Sequence, residues 1–134
     1  MSPTLTKPLT AAQFRRLLRA IVPPADSPDA LLWPSESDKP VRVVNLPDSR
    51  VIKWESKSWG VHNKPYRADH WINGLLGEED TDPRFEQLAK LFKPHSLNSR
   101  VFYRLTDEQS VYDLYLLVRF GGRWIGLRTK VVET

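Results

Sequence analysis

Three histidines, sixteen carboxylates and no cysteine are the side chains with which this 134-residue chain could do metal, acid–base or nucleophilic chemistry. His62 and His70 are too far apart for the i, i+4 pair that one helix face needs to hold a metal, and His95 stands alone. Without cysteine, disulfides, zinc–thiolate sites and a cysteine nucleophile are excluded. No serine is paired with a histidine and an evident orienting acid, no glycine-rich loop could cradle a phosphate, and no glutamate pair stands in a motif context. The residues therefore speak against an enzyme, a resident metal and a cofactor. Two oxygen-rich features remain to be placed: the short acidic run Ser35-Glu36-Ser37-Asp38, and Glu133-Thr134, where the sequence stops.

Both features need elements to hold them. Leu31, Leu32 and Trp33 are bulky and costly to expose, so they are expected in the core as the anchor that presents the acidic loop. The loop's serine and aspartate oxygens also suit ordinary turn chemistry, bonding nearby backbone amides. The last third holds three runs rich in β-branched and aromatic residues: Arg100-Val-Phe-Tyr-Arg-Leu105, Val111-Tyr-Asp-Leu-Tyr-Leu-Leu-Val-Arg-Phe120 and Trp124-Ile-Gly-Leu-Arg-Thr-Lys-Val-Val132. Period-two alternation gives each an inner and an outer face, with Arg128 and Lys130 opposite Ile125, Leu127 and Val131 in the third run. Gly121-Gly122 suits a tight hairpin, and Thr106-Asp107-Glu108-Gln109 a polar connector. A three-stranded antiparallel meander follows, and a last strand ending near Val132 would hold Glu133 and Thr134 at a rigid edge with a carboxylate, a hydroxyl and a terminal carboxylate.

Upstream, residues 1–9 read as a disordered tail and residues 10–134 as one domain. Thr10-Ala-Ala-Gln13 has the form of a capping box, and Phe14, Leu17, Leu18, Ile21 and Val22 make an apolar helical stripe that ends at Pro23-Pro24. Pro40 to Leu46 reads as a strand, and Val51-Ile-Lys-Trp54 as a weaker strand able to pair back with it. Between Glu55 and Gly77 no period fits; Trp54, Trp59, Tyr66 and Trp71 are scattered there, either as a binding surface or as a lid over the sheet. Asp82-Pro83 opens a further helix with Phe85, Leu88, Ala89, Leu91 and Phe92 on its buried side, closed by Lys93-Pro94. The predicted fold is α+β, a layered α/β/α sandwich whose four- to five-stranded, largely antiparallel sheet ends in the meander.

A net charge of +4 permits nucleic-acid binding without a fingerprint motif to support it. No stretch approaches a membrane span and no secretory signal opens the chain, so the expected location is the cytoplasm.

The ending Gly-Leu-Arg-Thr-Lys-Val-Val-Glu-Thr134, the runs Val-Phe-Tyr-Arg-Leu105 and Tyr112-Asp-Leu-Tyr115, and Leu31-Leu-Trp-Pro-Ser-Glu-Ser-Asp38 after a short helix resemble the nuclease A inhibitor family. The resemblance implies a small α/β/α sandwich that blocks the active site of a sugar-non-specific, magnesium-dependent endonuclease. It implies that Glu36, flanked by Ser35 and Ser37, points toward the nuclease metal region and that Thr134, next to Glu133, approaches the nuclease magnesium. Trp71 matches the family's Asp-Trp pair at the tryptophan, while His70 precedes it and Asp69 lies one position earlier. No metal of the inhibitor's own is implied. The alternative class is a basic nucleic-acid-binding or general protein-interaction module on the same fold.

Overall fold

The computed structural model describes residues 8–35, 38–55, 67–76, 80–106 and 109–132, the side chains at 52–55 and 105 aside. The expected tail apart from its last two residues, the aromatic stretch with Trp59, His62 and Tyr66, Glu78-Glu79 and Asp107-Glu108 lie outside these residues.

The predicted meander is the centre of the molecule. β4 (Ser99–Leu105), β5 (Val111–Phe120) and β6 (Arg123–Val132) pair antiparallel, with Leu116 opposite Leu127 and Val101 opposite Leu116. Gly121, at φ +60°, turns the β5–β6 hairpin as a residue without Cβ can. β3 (Arg42–Pro47) adds to the free side of β6, giving a four-stranded sheet of order β3-β6-β5-β4. The strand expected from Pro40 is therefore broken. β2 (Lys39–Pro40) pairs instead with β1 (Leu32–Trp33), and Val41, buried between β2 and β3, donates its N–H to Leu31 O at 2.8 Å.

Alternation along β1 also corrects the expectation that three successive apolar groups are buried there. Leu31 and Trp33 are enclosed, whereas Leu32 points outward and is 44% exposed.

Helices cover both faces of the sheet. α1 (Ala11–Ile21) opens with the predicted capping box, Thr10 and Gln13 exchanging bonds of 3.0 and 3.2 Å. Its Phe14 and Leu18 join α3 (Ala68–Asn73), α4 (Arg84–Phe92) and the inner face of the sheet in the larger core. α4 starts one residue later than expected: Pro83, not Asp82, is its N-cap and makes no side-chain cap bond, while Asp82, just before it, accepts the Arg84 N–H on Oδ1 at 2.9 Å. A 3-10 helix, Lys93–Asn98, links α4 to β4.

The opposite face packs Leu46, Phe102, Tyr115, Leu117 and Trp124 against Val51 of α2 (Asp48–Glu55). This makes Val51 to Trp54 helix rather than strand. Asp48 is the reason: its carboxylate accepts from Trp124 Nε1 at 2.7 Å and Arg119 Nη2 at 3.1 Å, and its N–H bonds Gly122 O at 2.9 Å. These long-range bonds fix the chain direction where a helix can lay Val51 over the sheet, outweighing the strand preference of Val51 and Ile52. Helix layers on two sides of a sheet give the α/β/α arrangement expected. No helix among the described residues is long and apolar enough to cross a membrane.

His95, buried in the 3-10 helix, accepts the Leu9 N–H on Nε2 at 3.1 Å and meets the rings of Phe14 and Phe120 at 5.0 and 5.3 Å. Desolvation lowers its pKa below the ordinary histidine value, so the folded protein holds it neutral. The unfolded chain takes up that proton near pH 6.5. Stability contributed by the neutral ring is therefore complete above about pH 6.5 and is lost as pH falls through the depressed folded value. Urea midpoints should fall between about pH 7.5 and 5, because the unfolded chain binds a proton that the folded, neutral ring does not. A His95→Gln variant, which keeps an acceptor but does not titrate, should show a flatter profile.

Candidate functional site

The β1–β2 hairpin lies across the end of β6, and this crossing builds the site. Trp33 is clamped edge-on against Phe85 of α4, with ring centroids 5.5 Å apart. On the β2 side, the Thr129 hydroxyl of β6 donates to Pro40 O at 3.0 Å. The hairpin is thus held by an aromatic contact on one arm and a side-chain hydrogen bond on the other. Its tip turns at Ser35, whose N–H donates to Asp38 Oδ1 at 3.1 Å, the aspartate chemistry expected of a turn. Ser35 Oγ also accepts the Val132 N–H, at 3.3 Å. Ser35 and the last described residue of β6 are therefore in direct contact.

Glu36, Ser37, Glu133 and Thr134 lie outside the described residues. Their neighbours Ser35, Asp38 and Val132 are brought together, although Ser35 and Val132 are 97 positions apart.

Beside this contact is a depression of about 420 Å³ whose lining includes Trp33, Ser35, Trp71, Tyr103 and Val132. Trp71 stands half-buried on α3 and leans on Tyr103 at 5.7 Å, and Tyr103 stacks on Tyr112 at 4.7 Å. The expectation of an irregular stretch fails here, because Ala68, Trp71, Ile72 and Leu75 recur at helical spacing. Ala68 and Ile72 are fully buried, and Trp71 and Leu75 pack against that core.

The two residues before Trp71 part company. Asp69 is turned inward, 4% exposed, and accepts from Ser96 Oγ at 2.8 Å, while His70 faces solvent with Nε2 3.7 Å from Asp69 Oδ2. Asp69 thus ties α3 to the 3-10 helix, and His70 is the group of the pair that a partner could touch.

Charge around the hairpin is divided. Asp38, Asp80 and Asp82 line a depression of about 370 Å³ on one flank, with Asp82 engaged by Arg84 at 2.7 Å. Among the described residues no three His, Asp or Glu side chains converge to hold a metal. Trp33 and Tyr103 were legible only as core or strand residues; period two marks their buried side but not the depression they help to form. The arrangement offers a hairpin held on both arms, an aromatic hollow and acidic groups, which suits docking to another macromolecule.

Residues 25–134 match the family model described as nuclease A inhibitor-like protein, a range that takes in the hairpin, α3, α4 and the whole meander. No curated protein matches the chain.

Proposed function

The chain belongs to the nuclease A inhibitor-like family, whose members are nuclease inhibitors in general, and on that premise we propose that it plugs the active site of a magnesium-dependent, sugar-non-specific endonuclease. The acidic loop and the last residues of the sequence enter the nuclease cleft together. Glu36 supplies a carboxylate, and Thr134 a hydroxyl and, where it ends the chain, a second carboxylate. Magnesium takes oxygen ligands directly or through water, so these groups are chemically suited to the place of a substrate phosphate. The metal belongs to the nuclease. Trp71 buries area beside the plug and His70 lies at its rim.

The observation that carries this reading is the Val132 N–H bond to Ser35 Oγ, which supports convergence of two segments that no local sequence pattern connects. Positive net charge does not oppose it, since local charge matters more than the total and Asp38, Asp80 and Asp82 make one flank of the hairpin acidic.

Titration into such an endonuclease, with DNA in large excess over the added protein, tests the proposal. Intact protein should stop cleavage at equimolar ratio. Glu36→Gln, or removal of residues 133–134, should each raise the inhibition constant about tenfold, equivalent to about 1.4 kcal/mol, with the far-ultraviolet circular dichroism unchanged. Equal potency of all three forms would overturn the plug.

A further inference from the structure

The hairpin has a second flank that the plug does not use. Lys39, Pro40, Arg42, Arg128, Thr129 and Lys130 line a groove of about 480 Å³, four cations with no carboxylate among the lining residues. Arg42 and Arg128 are direct partners in the β3–β6 register, an opposition of like charges that costs a sheet stability. Lys130 follows two positions along the same face of β6. Arg42 and Lys130 are exposed, and Lys39 and Arg128 are half-exposed. Arg128 is partly engaged, 3.6 Å from Asp113 and 5.5 Å above the Tyr115 ring. An anionic occupant would relieve the opposition of Arg42 and Arg128.

The sign changes across the hairpin identify the kind of occupant. Lys39 of the basic groove directly follows Asp38, which lines the acidic depression. A nucleic-acid backbone is uniformly negative and would meet attraction on one flank and repulsion on the other. A protein surface can alternate in sign over this distance.

We propose that the groove is a specificity determinant that receives carboxylates from an acidic rim beside the partner nuclease's cleft and rejects nucleases whose rim is basic throughout. This rests on the plug reading and deepens it. Repulsive contacts of this kind discriminate among partners that share one active-site chemistry.

The test uses the full chain and a Lys39→Glu/Arg42→Glu variant. The new carboxylate at position 42 faces Arg128, so the sheet register is favoured, and circular dichroism checks it. Two magnesium-dependent, sugar-non-specific endonucleases serve as probes, one with Asp and Glu around its cleft and one with only Lys and Arg there. Charge reversal should weaken inhibition of the first about tenfold and strengthen inhibition of the second, and both differences should shrink between about 50 and 300 mM salt. Unchanged potency on both enzymes, with Glu36→Gln still impaired, would overturn the groove's role and leave the plug standing. Absence of inhibition by the wild type would overturn both. Tight binding of a DNA duplex of about 20 base pairs that is lost on charge reversal, with inhibition unaffected, would overturn the proposal in favour of nucleic acid.

Discussion

A Gly126→Ala substitution is expected to destabilise the protein by about 3 kcal/mol, the upper range for overpacking. Gly126 lies in the middle of β6, paired with Val44 on one side and Leu117 on the other. A Cβ there would run into the Leu116 carbonyl oxygen and lie 2.9 Å from both Leu116 C and Leu117 Cα. These are backbone atoms of β5, so no rotamer change can clear them, and two central strands would have to separate. With a urea dependence of about 2 kcal/mol/M, the midpoint should fall by about 1.5 M. Gly122→Ala is the control: nothing lies within 4 Å of its added Cβ, and the change should stay within about 0.5 kcal/mol. A midpoint for Gly126→Ala as close to wild type as that of Gly122→Ala would show that β5 and β6 do not approach as described.

The meander, the capped first helix and α4 were legible because their signals are local. Period two, a reciprocal Thr10–Gln13 cap and the helical spacing of Phe85, Leu88, Ala89 and Phe92 each lie within a few residues of the element they define, although α4 begins one residue after the expected Asp82-Pro83 start. α2 and α3 were not legible, because their ends are held from far away. The α3 N-terminus has no local side-chain cap; its Ala68 N–H is satisfied by Ser99 Oγ at 3.0 Å, from the first residue of β4. The start of α2 is set by Trp124 and Arg119, more than 70 positions downstream. Seen alone, Val51 and Ile52 favour a strand, and Trp71 sits in a stretch without a pattern.

Candidate-site residues divided in the same way. The Ser35 to Asp38 turn could be read from residue types, and family likeness singled out Trp71, while Thr134 lies outside the described residues. The bond from Val132 to Ser35 depends on how a hairpin with two-residue strands lies across the end of β6, and the basic groove depends on pairing Arg42 with Arg128 across strands distant in sequence.

Trp71→Ala is expected to weaken nuclease inhibition about 30-fold, the equivalent of about 2 kcal/mol at an aromatic hot spot. The ring is half-buried before any partner arrives and is supported by Tyr103, which is in turn supported by Tyr112. Its helix is pinned by Ser99 to Ala68 and by Ser96 to Asp69. Little side-chain freedom is left to lose on docking, so most of the newly buried area counts toward affinity. Truncation would remove that area and leave a hollow beside Ser35 and Val132. Trp71→Phe should retain part of the potency, and His70→Ala, at the exposed rim, should change it less than about threefold. Calorimetric titration of the three variants into the nuclease would separate these effects from folding, with melting curves run in parallel. If His70→Ala proved as damaging as Trp71→Ala, the hot spot would belong to the rim and the aromatic hollow would not be the anchor. If neither mattered while Glu36→Gln still did, binding would rest on the oxygen groups at the hairpin tip alone.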